Sequence, residues 1–203
     1  MRPEAKPILP KPDIILAFDT SAAHCAAALL SGDRVVTRVD LMAKGQAERL
    51  VPLLDEVLAA EHVQWSDLRA IVVGVGPGNF TGIRIAVALA RGLALGLGIP
   101  AIGVTGFEAL AYGMALPVAV ALDAPRGQAY VQRFDPGPEA AGIVAMAPAG
   151  ARLMQDLTLS AFITAMALVG RAKATVAQPR PAPFYLRSAD ALPSSDPVPV
   201  MLP

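Results

Sequence analysis

Residues Gly74-Val-Gly-Pro-Gly-Asn-Phe-Thr-Gly82 put four glycines and a proline between a short apolar run, Ala70–Val75, and a long apolar run, Thr81–Leu97. The first run has the length of a buried strand and the second that of a helix. A strand, a glycine loop and a helix start in this order force a strand end against a helix N-terminus, an α/β arrangement. Free backbone N–H groups and the helix dipole at such a junction favour an anion. The segment is not a Walker A loop, because no Gly-Lys-Ser/Thr follows at the required spacing. Nor is it G-x-G-x-x-G, since Asn79 stands where the third glycine would be. Gly76, Gly78 and Thr81 are therefore candidate phosphate contacts. The same glycines also suit a sharp turn and close helix–sheet contact, with Asn79 or Thr81 capping the helix. Both readings stay open at this level.

The helix that follows is apolar on every side. Ile83, Ile85, Val87, Leu89, Leu93, Leu95 and Leu97 alternate with alanines and glycines, and Arg84 and Arg91 interrupt them. A helix apolar all round is covered all round. One side packs on a sheet, and the small residues on the other let a second helix approach, so a protein–protein interface is the preferred reading. Leu50, Leu54, Ile83, Val87, Ala90, Leu93 and Ala94 are the candidate interface residues. The alternative is cover by an earlier helix, Gln46–Ala60, whose apolar residues recur at helical spacing around Pro52. Hydrophobic residues make up 54% of the 203 and charged ones 17%, so a membrane span has to be considered. The two arginines, with Gly96, Gly98 and Pro100, break the longest apolar stretch, and the expectation is no membrane segment and a cytoplasmic protein. The N-terminus lacks the apolar core of a signal peptide.

Ile14–Phe18, Cys25–Leu30 and Arg34–Leu41 read as three strands, with Ser31-Gly32-Asp33 as the hairpin turn between the last two. Ala101–Val104 reads as a further strand and Thr105–Met114 as a short helix. The order then begins again. Val118–Leu122 ends on Asp123 much as Ile14–Phe18 ends on Asp19, and Gln128–Phe134 stands where Cys25–Leu30 stood, an offset of 104 residues between the two aspartates. The expected fold is α/β, with an internal duplication an open question. Thr158–Val169 reads as a last helix, and residues 179–203, with seven prolines, as an extended tail. The expected organisation is a flexible leader over 1–13, an N-terminal lobe over 14–116 and a short C-terminal lobe with its tail over 117–203.

Asp19 and Asp123 sit at strand ends, where carboxylates meet Mg²⁺ or attacking water, yet turn-capping roles fit them equally well. His24 beside Cys25 is a poor nucleophile pair, because neighbours on a strand point to opposite faces. One cysteine and two histidines exclude a disulfide framework and leave little for a metal centre. Seventeen basic and seventeen acidic residues give zero net charge, which argues against unaided binding of nucleic acid. Trp65 reads as a packing anchor.

Ile15-Leu-Ala-Phe-Asp-Thr-Ser, Glu48-Arg-Leu-Val-Pro-Leu-Leu-Asp and Gly76-Pro-Gly-Asn-Phe-Thr-Gly-Ile-Arg-Ile together resemble the bacterial TsaB (YeaZ-like) family. Leu122-Asp-Ala-Pro-Arg-Gly-Gln-Ala-Tyr130 and Pro183-Phe-Tyr-Leu-Arg187 resemble its later motifs. The resemblance runs through residues 14–134, with the tail segment apart. It implies a two-lobed actin-like ATPase fold, ribonuclease H-like in each lobe and built by duplication, here with a shortened second lobe. It also implies a part in forming threonylcarbamoyl-adenosine at position 37 of tRNAs that read ANN codons. In that family this subunit is not the catalyst. It pairs with the catalytic subunit TsaD through the helices matching Gln46–Ala60 and Thr81–Leu97, and the ATPase TsaE joins the pair.

The resemblance further implies a degenerate nucleotide site, with Asp19, Gly76, Gly78 and Thr81 as its remnant. No cofactor is then expected for this subunit alone, ATP or ADP acts at the level of the complex, and tRNA is reached only through it. Pairing with a second copy through the same face stays open. Asn79 stands where the family usually has Ser, and Gln46 where His is common. The competing reading is a self-sufficient nucleotide-dependent kinase or ATPase using Asp19 and the Gly76–Gly82 loop.

Overall fold

The computed structural model describes residues 13–187; the expected leader, save residue 13, and the tail beyond Arg187 lie outside the described residues. Three antiparallel strands, β1 (Ile14–Asp19), β2 (His24–Ser31) and β3 (Arg34–Leu41), open the chain. Helix α1 (Gln46–Ala60) leads to β4 (Ala70–Gly74), and α2 (Phe80–Leu97) leads to β5 (Ala101–Val104). The sheet runs β3-β2-β1-β4-β5, with β4 parallel to β1 and β5 parallel to β4. The hairpin turn falls at Gly32 and Asp33, where Gly32 takes φ +60°. Pro52 does not break α1. It lies on the exposed side of the helix, so the carbonyl it leaves unpaired faces water.

Strand order then repeats. Helix α3 (Gly106–Ala111) leads into β6 (Val118–Ala124), β7 (Gln128–Phe134), β8 (Gly142–Val144) and β9 (Arg152–Leu153). Their order is β8-β7-β6-β9, with β6 and β7 antiparallel and β9 parallel to β6. This is the first sheet's β3-β2-β1-β4 again, so the duplication is present in the topology. The fold is the two-lobed, actin-like one, and its second lobe is reduced. β8 has three residues and β9 two, and no helix stands between them where α1 stands in the first lobe.

Both faces of the first sheet are covered. Leu16, Phe18, Leu29, Ile71 and Val73 point to α1 and α2 and meet Leu50, Leu54, Ile83 and Ala90 there. Ile15, Ala17, Ala28, Val72 and Ile102 point the other way, toward α3, α4 (Leu159–Lys173) and the inner face of the second sheet. This is why β1, β2 and β4 read as continuous apolar runs rather than alternating ones. Helix α4 follows the second sheet in sequence but lies across β1 and β2 of the first. It comes so close over β4 that a Cβ at Gly170 would strike both methyl groups of Val72. At its end Lys173 Nζ donates to the Gly103 carbonyl and to Glu108 Oε1, both at 2.9 Å. Glu108 also closes a capping box with Thr105 at the start of α3.

Replacing Gly170 by Ala is expected to destabilise the chain by about 1–3 kcal/mol through overpacking against Val72. Helix propensity alone would favour Ala by about 1 kcal/mol. A urea unfolding midpoint that rises instead would show that α4 does not approach β4 this closely.

Candidate functional site

Asp19 ends β1 as the chain turns into β2, and it is 1% exposed. Its Oδ2 accepts from the Ser21 backbone N–H at 3.0 Å and the Ser21 hydroxyl at 2.8 Å. His24 Nε2 lies 2.8 Å from the same oxygen, and His24 is itself buried. The other oxygen faces Gly74, where a Cβ would overlap it. The carboxylate sits beneath the turn, and its Oδ2 holds the turn's shape.

The glycine loop is folded onto that same turn. The Asn79 N–H donates to the Ser21 carbonyl at 2.6 Å, and the Thr20 hydroxyl donates to the Gly82 carbonyl at 2.7 Å. A Cβ at Gly78 would strike the Ser21 carbonyl, and one at Gly82 the Thr20 carbonyl. Of the two sequence readings, the geometry realises close backbone approach. Ser21 packs against Gly78, and Ile83 and Phe184 against Gly76, while Pro77, Gly78 and Asn79 also line the cleft between the lobes. Asn79 caps α2, its side-chain oxygen accepting from the Gly82 N–H at 2.8 Å. Thr81 stands exposed on the first turn.

Between the two strand–turn units lies a cleft of about 480 Å³. His24 and Asn79 line it on one side, and Asp123 and Tyr130 on the other, with Met154 and Phe162 supplying apolar wall. The structure thus brings the two motifs of the internal repeat to one cleft. No lysine or arginine is among the lining residues, so the charge present there, Asp123, opposes a polyphosphate. Cys25 is no nucleophile either. It faces away from His24, its Sγ lies 3.7 Å from the Gln46 carbonyl, and burial pushes its pKa up to about 11.

The outer surface carries the second feature. Leu50, Leu54, Ile83, Val87 and Ala90 are buried against the first sheet, and Ala94 is nearly so. As interface positions these are corrected: at 3.6 residues per turn they fall on the sheet-facing stripes of α1 and α2. Leu93 is half-buried and packs on the same core. The accessible face of α2 consists of Arg84, Ala88, Arg91, Gly92, Leu95 and Gly96, with Leu95 83% exposed. A Cβ at Gly92 or Gly96 would meet nothing within 4 Å. Val51 adds an exposed apolar position on α1. Among the described residues α2 is the one helix long and apolar enough to cross a membrane, but its other face is packed on the sheet.

Residues 181–187, in neither helix nor strand, form a strap along α2. The Phe184 N–H donates to the Val75 carbonyl at 2.8 Å. Tyr185 stacks on Phe80 with ring centroids 4.0 Å apart. Arg84 lies over Phe80 at 4.2 Å and donates to the Tyr185 hydroxyl at 3.0 Å. Arg187 reaches across to Gln128 in the second lobe. Nothing in the local sequence signalled this role, because it depends on a contact 101 residues away. Trp65 does anchor packing, its indole N–H donating to Asp55 at 2.9 Å.

Comparison with known proteins agrees with this architecture. Residues 40–153 match the family model described as TsaD, tRNA N6-adenosine threonylcarbamoyltransferase. The tRNA threonylcarbamoyladenosine biosynthesis protein TsaB of Escherichia coli is 36% identical over 121 residues, 57% of this chain and 52% of that protein. Its Haemophilus influenzae counterpart is 33% identical, with 51% of it covered. The chain thus spans about half the length of these curated relatives. An uncharacterized Mycobacterium bovis protein is 33% identical over 200 residues, 88% of this chain and 94% of that one. Among solved structures, YeaZ from Pseudomonas aeruginosa superposes with a TM-score of 0.71 at 25% identity, over 86% of this chain and all of that chain. With its glycine loop clasped to the first strand turn, its doubled strand order and these relatives, the chain belongs to the TsaB (YeaZ-like) family.

Proposed function

We propose that this chain is the non-catalytic partner subunit in the formation of threonylcarbamoyl-adenosine at position 37 of ANN-reading tRNAs. It activates a TsaD-type catalytic subunit by heterodimerisation in the cytoplasm, and a TsaE-type ATPase joins the pair. ATP or ADP serves the complex, and tRNA is met through the complex. The observation that carries this reading is the open face of α2. It pairs an 83% exposed leucine with glycines that have empty space above them, a surface to which another helix comes close. The TsaB names of the relatives supply the pathway. A second copy of the chain would use the same face.

Light scattering during size-exclusion chromatography, with and without the TsaD-type protein of the same organism, is the direct test. A heterodimer is expected, with tRNA modification appearing once the TsaE-type protein is added. Leu95→Glu should weaken that pairing by about tenfold or more, as loss of an interface anchor does, and leave the circular dichroism spectrum unchanged. A variant that pairs as well as wild type takes α2 out of the interface.

The competing reading, a self-sufficient nucleotide enzyme, rests on the cleft alone. Calorimetric titration of the isolated chain with Mg·ATP is expected to show no micromolar binding. Asp19→Ala is expected to cost about 3 kcal/mol of folding stability, because it strands His24 and the Ser21 N–H. Micromolar ATP binding lost in an Asp19→Ala chain of unchanged stability would reverse this assignment.

A further inference from the structure

The strap does not lie flush on α2. Toward the C-terminal half of the helix a groove of about 530 Å³ opens between them, lined by Arg91, Leu95, Ile99, Pro100, Arg180 and Pro181. A second hollow of about 400 Å³ lies alongside, lined by Arg84, Val87, Ala88, Arg91 and Pro183. Arg91 lines both, so the two hollows adjoin at its side chain and together make the channel.

Its charge is one-sided. No acidic residue occurs from 68 to 107 or from 174 to 187, although the chain as a whole is neutral. Arg91 and Arg180 are exposed and form no ion pair among the described residues. Arg84 is held in place by Phe80 and Tyr185, with no carboxylate beside it. Three guanidinium groups thus border these hollows, whose other walls are aliphatic, glycine and proline apart from Gln178. We infer that this channel receives an acidic, partly apolar segment of the TsaD-type subunit, an inference that rests on the pairing proposed above. Carboxylates would take the guanidinium forks while apolar side chains fill the walls. Opposite charge also steers the encounter.

An RNA strand fits less well. A phosphate chain calls for a longer run of cations, and Tyr185 already spends its face on Phe80.

The test uses the full chain and the TsaD-type protein of the same organism, with affinity measured at about 0.1 M and 0.5 M salt, where screening differs strongly. Arg91→Glu combined with Arg180→Glu is expected to weaken pairing at least about tenfold at low salt and to flatten its salt dependence. Lysine at both positions should keep the salt dependence but recover only part of the affinity, because an ammonium lacks the fork. If wild type pairs and the double glutamate chain pairs equally well, the channel is not part of the interface and this inference falls while the pairing stands. If wild type does not pair at all, the pairing falls and the channel's occupant with it. Unchanged pairing together with weaker tRNA retention by the complex would assign the channel to RNA and overturn the inference.

Discussion

The contact on which the rest depends is the clasp between the turn after β1 and the loop before α2. Three donors converge on one oxygen of Asp19, which fixes the turn. The turn's carbonyls then lie where side chains at Gly78 and Gly82 would otherwise sit. A buried carboxylate is costly unless it is hydrogen-bonded, and here Oδ2 takes three bonds from Ser21 and His24. The clasp sets where α2 begins, and so which of its residues face the sheet. It draws the aspartate, Gly78, Gly82 and the Asn79 N–H into packing of one chain segment on another.

The first sheet is the centre of the molecule, and the second lobe is organised around it. Because α4 crosses to cover β1 and β2, the reduced second sheet does not need a full set of helices of its own. The strap makes the same connection on the outside, from Val75 and Phe80 in the first lobe to Gln128 in the second. The cleft between the lobes persists, with its two strand–turn motifs facing each other. Its lining lacks the cations that polyphosphate chemistry calls for. The molecule keeps the two-lobed outline and carries an exposed, partly apolar face on α2.

That face explains the unusual composition of the helix. A stripe of Ile83, Ala86, Val87 and Ala90 supplies the core, while Ala88, Gly92, Leu95 and Gly96 on another side are exposed among the described residues. Small residues there leave room for a close helix. Arg84 and Arg91, seven residues apart, share one side of α2.

Much of this was legible in the sequence. Helix α1 and strands β3, β5 and β7 begin and end where periodicity placed them, because a single buried face imposes its spacing on the residues directly. The family was legible too, through motifs whose glycines and capping residues answer to local backbone geometry. The duplication was only half visible, since topology repeats while side chains diverge. What the sequence could not decide is which side of α2 is outward. With apolar residues on every side of α2, periodicity is silent there, and the choice of Ile83, Val87 and Ala90 as surface fell on the buried stripe; Leu50 and Leu54 on α1 lie on the periodic face that packs on the sheet. The role of Asp19 and of the strap was hidden for a similar reason. Both depend on contacts between segments remote along the chain, and such contacts exist only once the sheet has set the distances.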